Sequence, residues 1–220
     1  MRILIVTWFF PPANTMGALR VGKFADFLVR KGHGVRVVTA DFKGAAPPLD
    51  TVPPCPVVRT GWWDVNALPQ RLIRPRSGQS PASAGAAATE TGAGSAGASG
   101  GGAGRPGLKR RLGRVYQALT NFPDKRVGWI PYAVRAGRRE LESCDADVVF
   151  ASAPPFSTAV AGALLARRTG KAYVVEMRDR WSDDAYRSVS SLRGWMERKL
   201  EAWVMRQVSG IVTVSEPWAR

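Results

Sequence analysis

The sequence is poor in the residues that build metal centres and crosslinks. It has two cysteines, Cys55 and Cys144, and one histidine, His33. No CxxC pair occurs, so a conventional zinc centre is excluded, and the two thiols read as a reduced, cytosolic pair. It also lacks any apolar run near the ~18–20 residues needed to cross a bilayer. The apolar start, Met1 to Phe10, carries only Arg2 and is cut short by Pro11-Pro12. With no basic n-region and no small-residue cleavage pattern, it reads as a first strand rather than a signal peptide, which places the chain in the cytoplasm. Where a dinucleotide fingerprint needs three glycines, only Gly17 follows that strand, so a nicotinamide dehydrogenase is disfavoured. Acidic residues are scarce as well: 17 against 32 Lys and Arg, a net charge of +15.

What is present suits one sizeable α/β domain: 220 residues, 45% of them hydrophobic, with a mean hydropathy of -0.14. Arg2 to Thr7 is a continuous β-branched run, as in a strand buried on both faces. From Gly17 to Lys31 the period becomes helical, with Val21, Phe24, Ala25, Phe27 and Leu28 on one stripe and Gly32 just past the end. Val35 to Thr39 is the next strand, completing a βαβ unit. After Pro47 the chain reads as irregular. Between 77 and 104 only Ala, Gly, Ser, Thr, Pro and Gln occur, apart from Glu90, and 77–107 is expected to be a disordered insertion within the domain.

The regular pattern then returns. Helices are predicted over Leu108–Thr120, Pro131–Glu142 and Phe156–Thr169, with strands over Asp147–Ala151, Ala172–Met177 and Ile211–Val214. Leu192, Trp195, Met196, Leu200, Trp203 and Val204 define a last helical face. Alternating helices and buried strands imply a doubly wound, Rossmann-like parallel sheet over residues 1–220. Ten basic residues and one acid lie between Arg105 and Arg139. Such a cluster attracts phosphates, and its Lys109, Arg110, Arg111 and Arg114 suit an anionic membrane surface, unless they are simply a solvated face. A nucleic-acid-binding module would also use that charge, but no helix-turn-helix, RNP or zinc pattern accompanies it, and the aromatics are not interleaved with it.

In a sheet of this kind ligands bind beyond the carboxyl ends of the strands. After the first strand, Thr15, Met16 and Gly17 open a helix whose N-terminal amides suit a phosphate oxygen, with Arg20 in the first turn as a charged partner. The bland alternative is a tight turn into a helix. After Val174–Met177 comes RDRWSDD, Arg178 to Asp184. Asp179 is a candidate to accept a proton from a hydroxyl or to bind sugar hydroxyls, and Trp181 a candidate platform for a sugar or lipid tail; alternatively Arg178 and Asp179 pair and merely order the loop. His33, between the first helix and the second strand, falls at the opposite edge and reads as structural.

The segments ILIVTWFFPPANTMGALR, FLVRKGHGVRVVT, FPDKRVGWIPYA, DVVFASAPPFS, KAYVVEMRDRWSDD and IVTVSE, in this order, resemble the N-terminal domain of family 4 glycosyltransferases of GT-B architecture. The resemblance is nearest to the branch that builds bacterial capsule, exopolysaccharide or lipid-linked sugars. It implies an acceptor-side domain facing a second domain that holds a UDP-, GDP- or similar nucleotide sugar, with no metal required. Thr15, Met16 and Gly17 would approach the donor diphosphate. Asp179 would stand by the reacting centre as base or as acceptor-positioning group, at a point where many relatives place a histidine. Relatives continue beyond IVTVSE into a donor-binding half, so the expectation is that the 220 residues alone transfer little sugar. A non-catalytic subunit partnering a separate donor-binding chain is the alternative, and the inner face of the plasma membrane is a second expected address beside the cytoplasm.

Overall fold

The structure is a computed structural model and describes residues 1–42, 47–49, 52–65, 121–182 and 192–214. The helix expected over Leu108–Thr120, with Lys109, Arg110, Arg111 and Arg114, and the insertion at 77–107 lie outside the described residues.

The chain runs β1 (Arg2–Thr7), α1 (Met16–Arg30), β2 (Gly34–Ala40) and β3 (Val57–Thr60). A 3-10 turn (Val127–Trp129) then leads into α2 (Ile130–Cys144), followed by β4 (Val148–Ala153), α3 (Phe156–Thr169), β5 (Ala172–Met177), α4 (Leu192–Met205) and β6 (Gly210–Thr213). The strands form one sheet in the order β3-β2-β1-β4-β5-β6, every pairing parallel. Parallel strands with helical crossovers are covered on both faces, which is why β1, β2, β4 and β5 read as near-continuous apolar runs. One face packs Ile3, Ile5, Val35, Val37 and Phe150 under Val21, Ala25 and Leu28 of α1. The other packs Leu4, Val6, Val149, Ala151, Tyr173 and Val175 against Ala133, Val134 and Leu141 of α2 and Val160, Ala163 and Leu165 of α3.

The irregular reading after Pro47 is corrected at β3. The strand holds only four residues, Val57-Val58-Arg59-Thr60, too few to show a period, and it lies at the sheet edge beside β2. The apolar face expected on the last helix is also only partly covered: Val204 is buried, but Leu192 and Trp195 are 75% and 52% exposed. Helix ends follow local chemistry. Thr15 caps α1 by accepting from the Ala18 amide, and α3 stops at Gly170, whose φ of 68° favours glycine.

Candidate functional site at the carboxyl rim of the sheet

The α1 face of the sheet changes character one row before the strands end. Arg59, Thr39, Thr7, Ser152 and Glu176 stand in register across β3, β2, β1, β4 and β5. Strand alternation puts them on the side that carries Ile5, Val37 and Phe150 two residues earlier. Four of the five are buried: Thr7, Thr39, Ser152 and Glu176. A buried polar group is tolerable only when bonded. The Thr7 and Thr39 hydroxyls donate to the carbonyls of Phe9 and Trp8, which bends the chain leaving β1. The Glu176 carboxylate accepts from the Ser152 hydroxyl at 2.6 Å and from Arg20 Nε at 2.6 Å.

Glu176 went unnoticed in the sequence. Its signal is a lone charge inside the apolar strand run AYVVEM, a composition that a strand buried on both faces accepts only where a partner waits. Here the partner is the predicted rim residue Arg20, one turn into α1, with about half of its side chain still open to solvent.

The loops after β1 and β5 reach the same rim and touch. A Cβ placed on Gly17 would lie 3.2 Å from Arg178 Nη1 and 3.3 Å from Phe9 Cδ2, so glycine lets a guanidinium and a ring approach this backbone more closely, by a few tenths of an ångström, than a side chain would. Arg178 is fixed by donating to the carbonyl of Pro154 at 2.5 Å and, from its backbone amide, to that of Ala153 at 3.0 Å. These carbonyls, rather than Asp179, hold it. Thr15 is spent on the α1 cap, Met16 is 74% exposed, and Asp179 is exposed beside Arg178. The rim thus gathers Thr15, Met16, Gly17, Arg20 and Arg178, with Asp179 at its edge.

Trp181 does not join them as an open platform. It is 1% exposed and stacked on Phe156 with ring centroids 4.8 Å apart and planes 5° from parallel. A platform needs a free face, and this ring has none; it belongs to the core. His33 lies at the amino edge, where its backbone amide donates to Leu28 at the α1 terminus.

Beside Gly17 a second cluster, unforeseen in the sequence, lines the rim. Trp8, Phe9, Phe42, Trp62 and Trp129 pack edge to face or tilted at 5.2–6.5 Å between centroids. The Arg126 guanidinium lies over Trp8, Trp62 and Phe42 at 4.6, 5.3 and 5.8 Å. Burial holds the Arg126 pKa below the usual arginine value, against the opposing pull of Asp124 and Asp64. Asp124 itself is committed elsewhere: its carboxylate accepts from the Ser157 amide and hydroxyl at the start of α3 and from the Arg126 amide. A cavity of about 540 Å³ opens between α2 and α3, lined by Val134, Arg135, Arg138, Arg139, Leu164 and Arg168, and none of these rim residues lines it. No group of three or more His, Cys, Asp or Glu able to hold a metal ion occurs among the described residues, and no helix among them is long and apolar enough to cross a membrane.

An open, all-parallel α/β sheet with helices on both faces and a basic, glycine-containing rim is the Rossmann-like half of a GT-B architecture. The family pattern described as Glycosyltransferase Family 4 matches residues 96–220, more than half of the sequence, and the chain belongs to that family. Sucrose-phosphate synthase from Thermosynechococcus elongatus superposes on 100% of the chain with a TM-score of 0.54 at 11% identity. The spinosyn rhamnosyltransferase SpnG complexed with thymidine diphosphate aligns with 97% of it at a TM-score of 0.42 and 14% identity, over 45% of its own length. The glycosyltransferase SnogD from Streptomyces nogalater aligns with 98% at 0.38 and 14%, over 43% of its own length. The chain spans 43% of the length of the synthase, and at 11% identity the likeness is one of fold. No curated protein matches the chain.

Proposed function

We propose that the chain is the acceptor-side half of a nucleotide-sugar-dependent glycosyltransferase that elongates a glycan or lipid-linked acceptor, in bacterial cell-surface polysaccharide synthesis. The observation that supports this most is the meeting of Gly17 and Arg178 at the carboxyl rim, next to the Arg20–Glu176 pair.

The chemistry asks for two things on this side of the cleft. A hydroxyl of the acceptor must reach the anomeric carbon of the donor, and the bond from that carbon to the diphosphate must break. Charge then develops on the diphosphate, and fixed donors stabilise it most when they are already in place. The first amides of α1, the Arg178 guanidinium and the exposed part of Arg20 supply such donors without a metal. Asp179, exposed at the rim, orients the acceptor hydroxyl or takes its proton. The donor's nucleoside diphosphate, UDP or GDP, would be held by a donor-binding domain facing this rim. The charge cluster at Lys109, Arg110, Arg111 and Arg114 would hold the enzyme against the inner face of an anionic membrane.

Ligand-observed NMR with pyrophosphate, UDP-glucose and GDP-mannose tests the rim. Binding of the diphosphate group is expected, weakened on the order of tenfold in Arg178→Met, the loss that one charge-assisted bidentate contact represents. Absence of any diphosphate binding, or binding indifferent to that substitution, defeats the reading.

A further inference from the structure

The aromatic cluster holds two polar side chains whose N–H groups make no hydrogen bond among the described residues. Among the described residues the Arg126 side chain makes no hydrogen bond or ion pair; it stacks over Trp8, Trp62 and Phe42, with Asp124 and Asp64 attracting it from farther off. Trp8 Nε1 is buried without a hydrogen-bond acceptor among the described residues, whereas the equivalent nitrogen of Trp129 donates to the Thr60 hydroxyl at 2.7 Å. An unmet buried donor is costly, because it has given up water for nothing. A stacked guanidinium uses its faces on the rings and keeps its N–H groups in the plane between, the edge that grips a carboxylate or phosphate in a fork. Burial has already stripped part of its water, so an incoming oxyanion recovers more than it would at an open arginine.

The rings around it supply the other half of a binding surface. Phe9, Phe42 and Trp62 are half-buried and Trp63 is 54% exposed, so apolar faces are open at the rim beside the cation. Aromatic faces pair with the C–H side of a pyranose while its hydroxyls stay in water. Phe9 joins this floor to the Gly17 and Arg178 loop, so one elongated ligand can lie across both. A neutral sugar would take only the weaker hydroxyl hydrogen bonds from the guanidinium, and a bare anion has no use for the rings.

We infer that the floor formed by Phe9, Phe42, Trp62 and Arg126 is a subsite for a sugar unit bearing an oxyanion, a phosphate or a carboxylate, on the acceptor. The inference rests on reading this rim as the acceptor side. It makes Arg126 the residue that selects an anionic acceptor over a neutral one.

Tryptophan fluorescence of the 220-residue chain reports the cluster directly. Titrations with glucose 1-phosphate, glucuronate, glucose and inorganic phosphate need no donor nucleotide, so they stand apart from whether a diphosphate binds at Gly17 and Arg178. At least one anionic sugar is expected to bind about tenfold or more tighter than both glucose and inorganic phosphate, and the one that does names the anion. Arg126→Met should erase that preference while leaving glucose unchanged, and Trp62→Ala should weaken all the sugars alike. Arg126→Lys, which keeps the charge and loses the planar fork, should fall between, and covers the case in which Arg126→Met fails to fold. Equal affinity for glucose and both anionic sugars overturns the inference. So does a preference that survives in Arg126→Met or vanishes in Arg178→Met.

Discussion

Replacing Glu176 by glutamine keeps the shape of the rim and removes one buried charge. The carboxylate accepts two bonds of 2.6 Å, but their settings differ: Ser152 is buried, whereas the Arg20 side chain is 47% exposed. A hydrogen bond to a charged group is worth about 1.5–3 kcal/mol when sheltered, so the Ser152 bond carries roughly 1.5–2. The ion pair to Arg20 is screened by water and carries about 1 kcal/mol or less. Glu176→Gln should therefore cost roughly 2–3 kcal/mol, and at about 2–4 °C per kcal/mol for a chain of this size, Tm should fall by ~4–12 °C. Urea unfolding at pH 7, followed by circular dichroism, gives the free energies of two double-mutant cycles. The coupling of Glu176→Gln with Ser152→Ala should exceed its coupling with Arg20→Gln. If the Arg20 coupling is the larger, burial does not rank these bonds. If Glu176→Gln is as stable as the parent, the rim is not held by this carboxylate at all.

Three further outcomes follow from the packing and the charges. Gly162→Ala places a Cβ 2.6 Å from Tyr173 Cε2 and 2.9 Å from the Ala151 Cβ, and should destabilise by about 1–3 kcal/mol in the same urea assay. Trp181→Ala should cost about 3–5 kcal/mol as a core truncation, whereas unchanged stability with weakened sugar binding would restore it as a platform. At the amino edge, Lys171 and then Arg2 hold the Asp145 pKa below the ordinary carboxylate value, and the Arg2 amide does the same for Asp147. Because these folded-state values are depressed, their stabilisation is complete above the usual carboxylate range and is lost as pH falls through the depressed values. The urea midpoint should drop over that acid window, and Asp145→Asn with Asp147→Asn should flatten the drop.

The strands that build the sheet centre were legible because each is long enough, and apolar enough, to declare burial on both faces. The edge strand Val57–Thr60 was not, since four residues between loops carry no period. The shared position of Gly17, Arg20 and Arg178 was legible because topology alone sends the loops after β1 and β5 to one rim. Glu176 was hidden by its strand: a periodicity reading tells which residues are inside, not which row is the last one. Trp181 was misread because a tryptophan between charged neighbours looks exposed in a linear text, while its burial depends on Phe156, twenty-five positions away. The Arg126 floor is assembled from separate stretches that share no spacing, so only the fold could bring them together.

The in-register row from Arg59 to Glu176 also acts as a ruler for the backbone. Neighbouring strands lie about 4.8 Å apart, so the four steps between its ends measure roughly 19 Å. The side chains do not stay at those ends: the Arg59 guanidinium donates to the Pro11 carbonyl in the loop after β1, and Arg20 reaches Glu176 from α1, so the distance a ligand has to bridge is set by these long side chains and not by the backbone row.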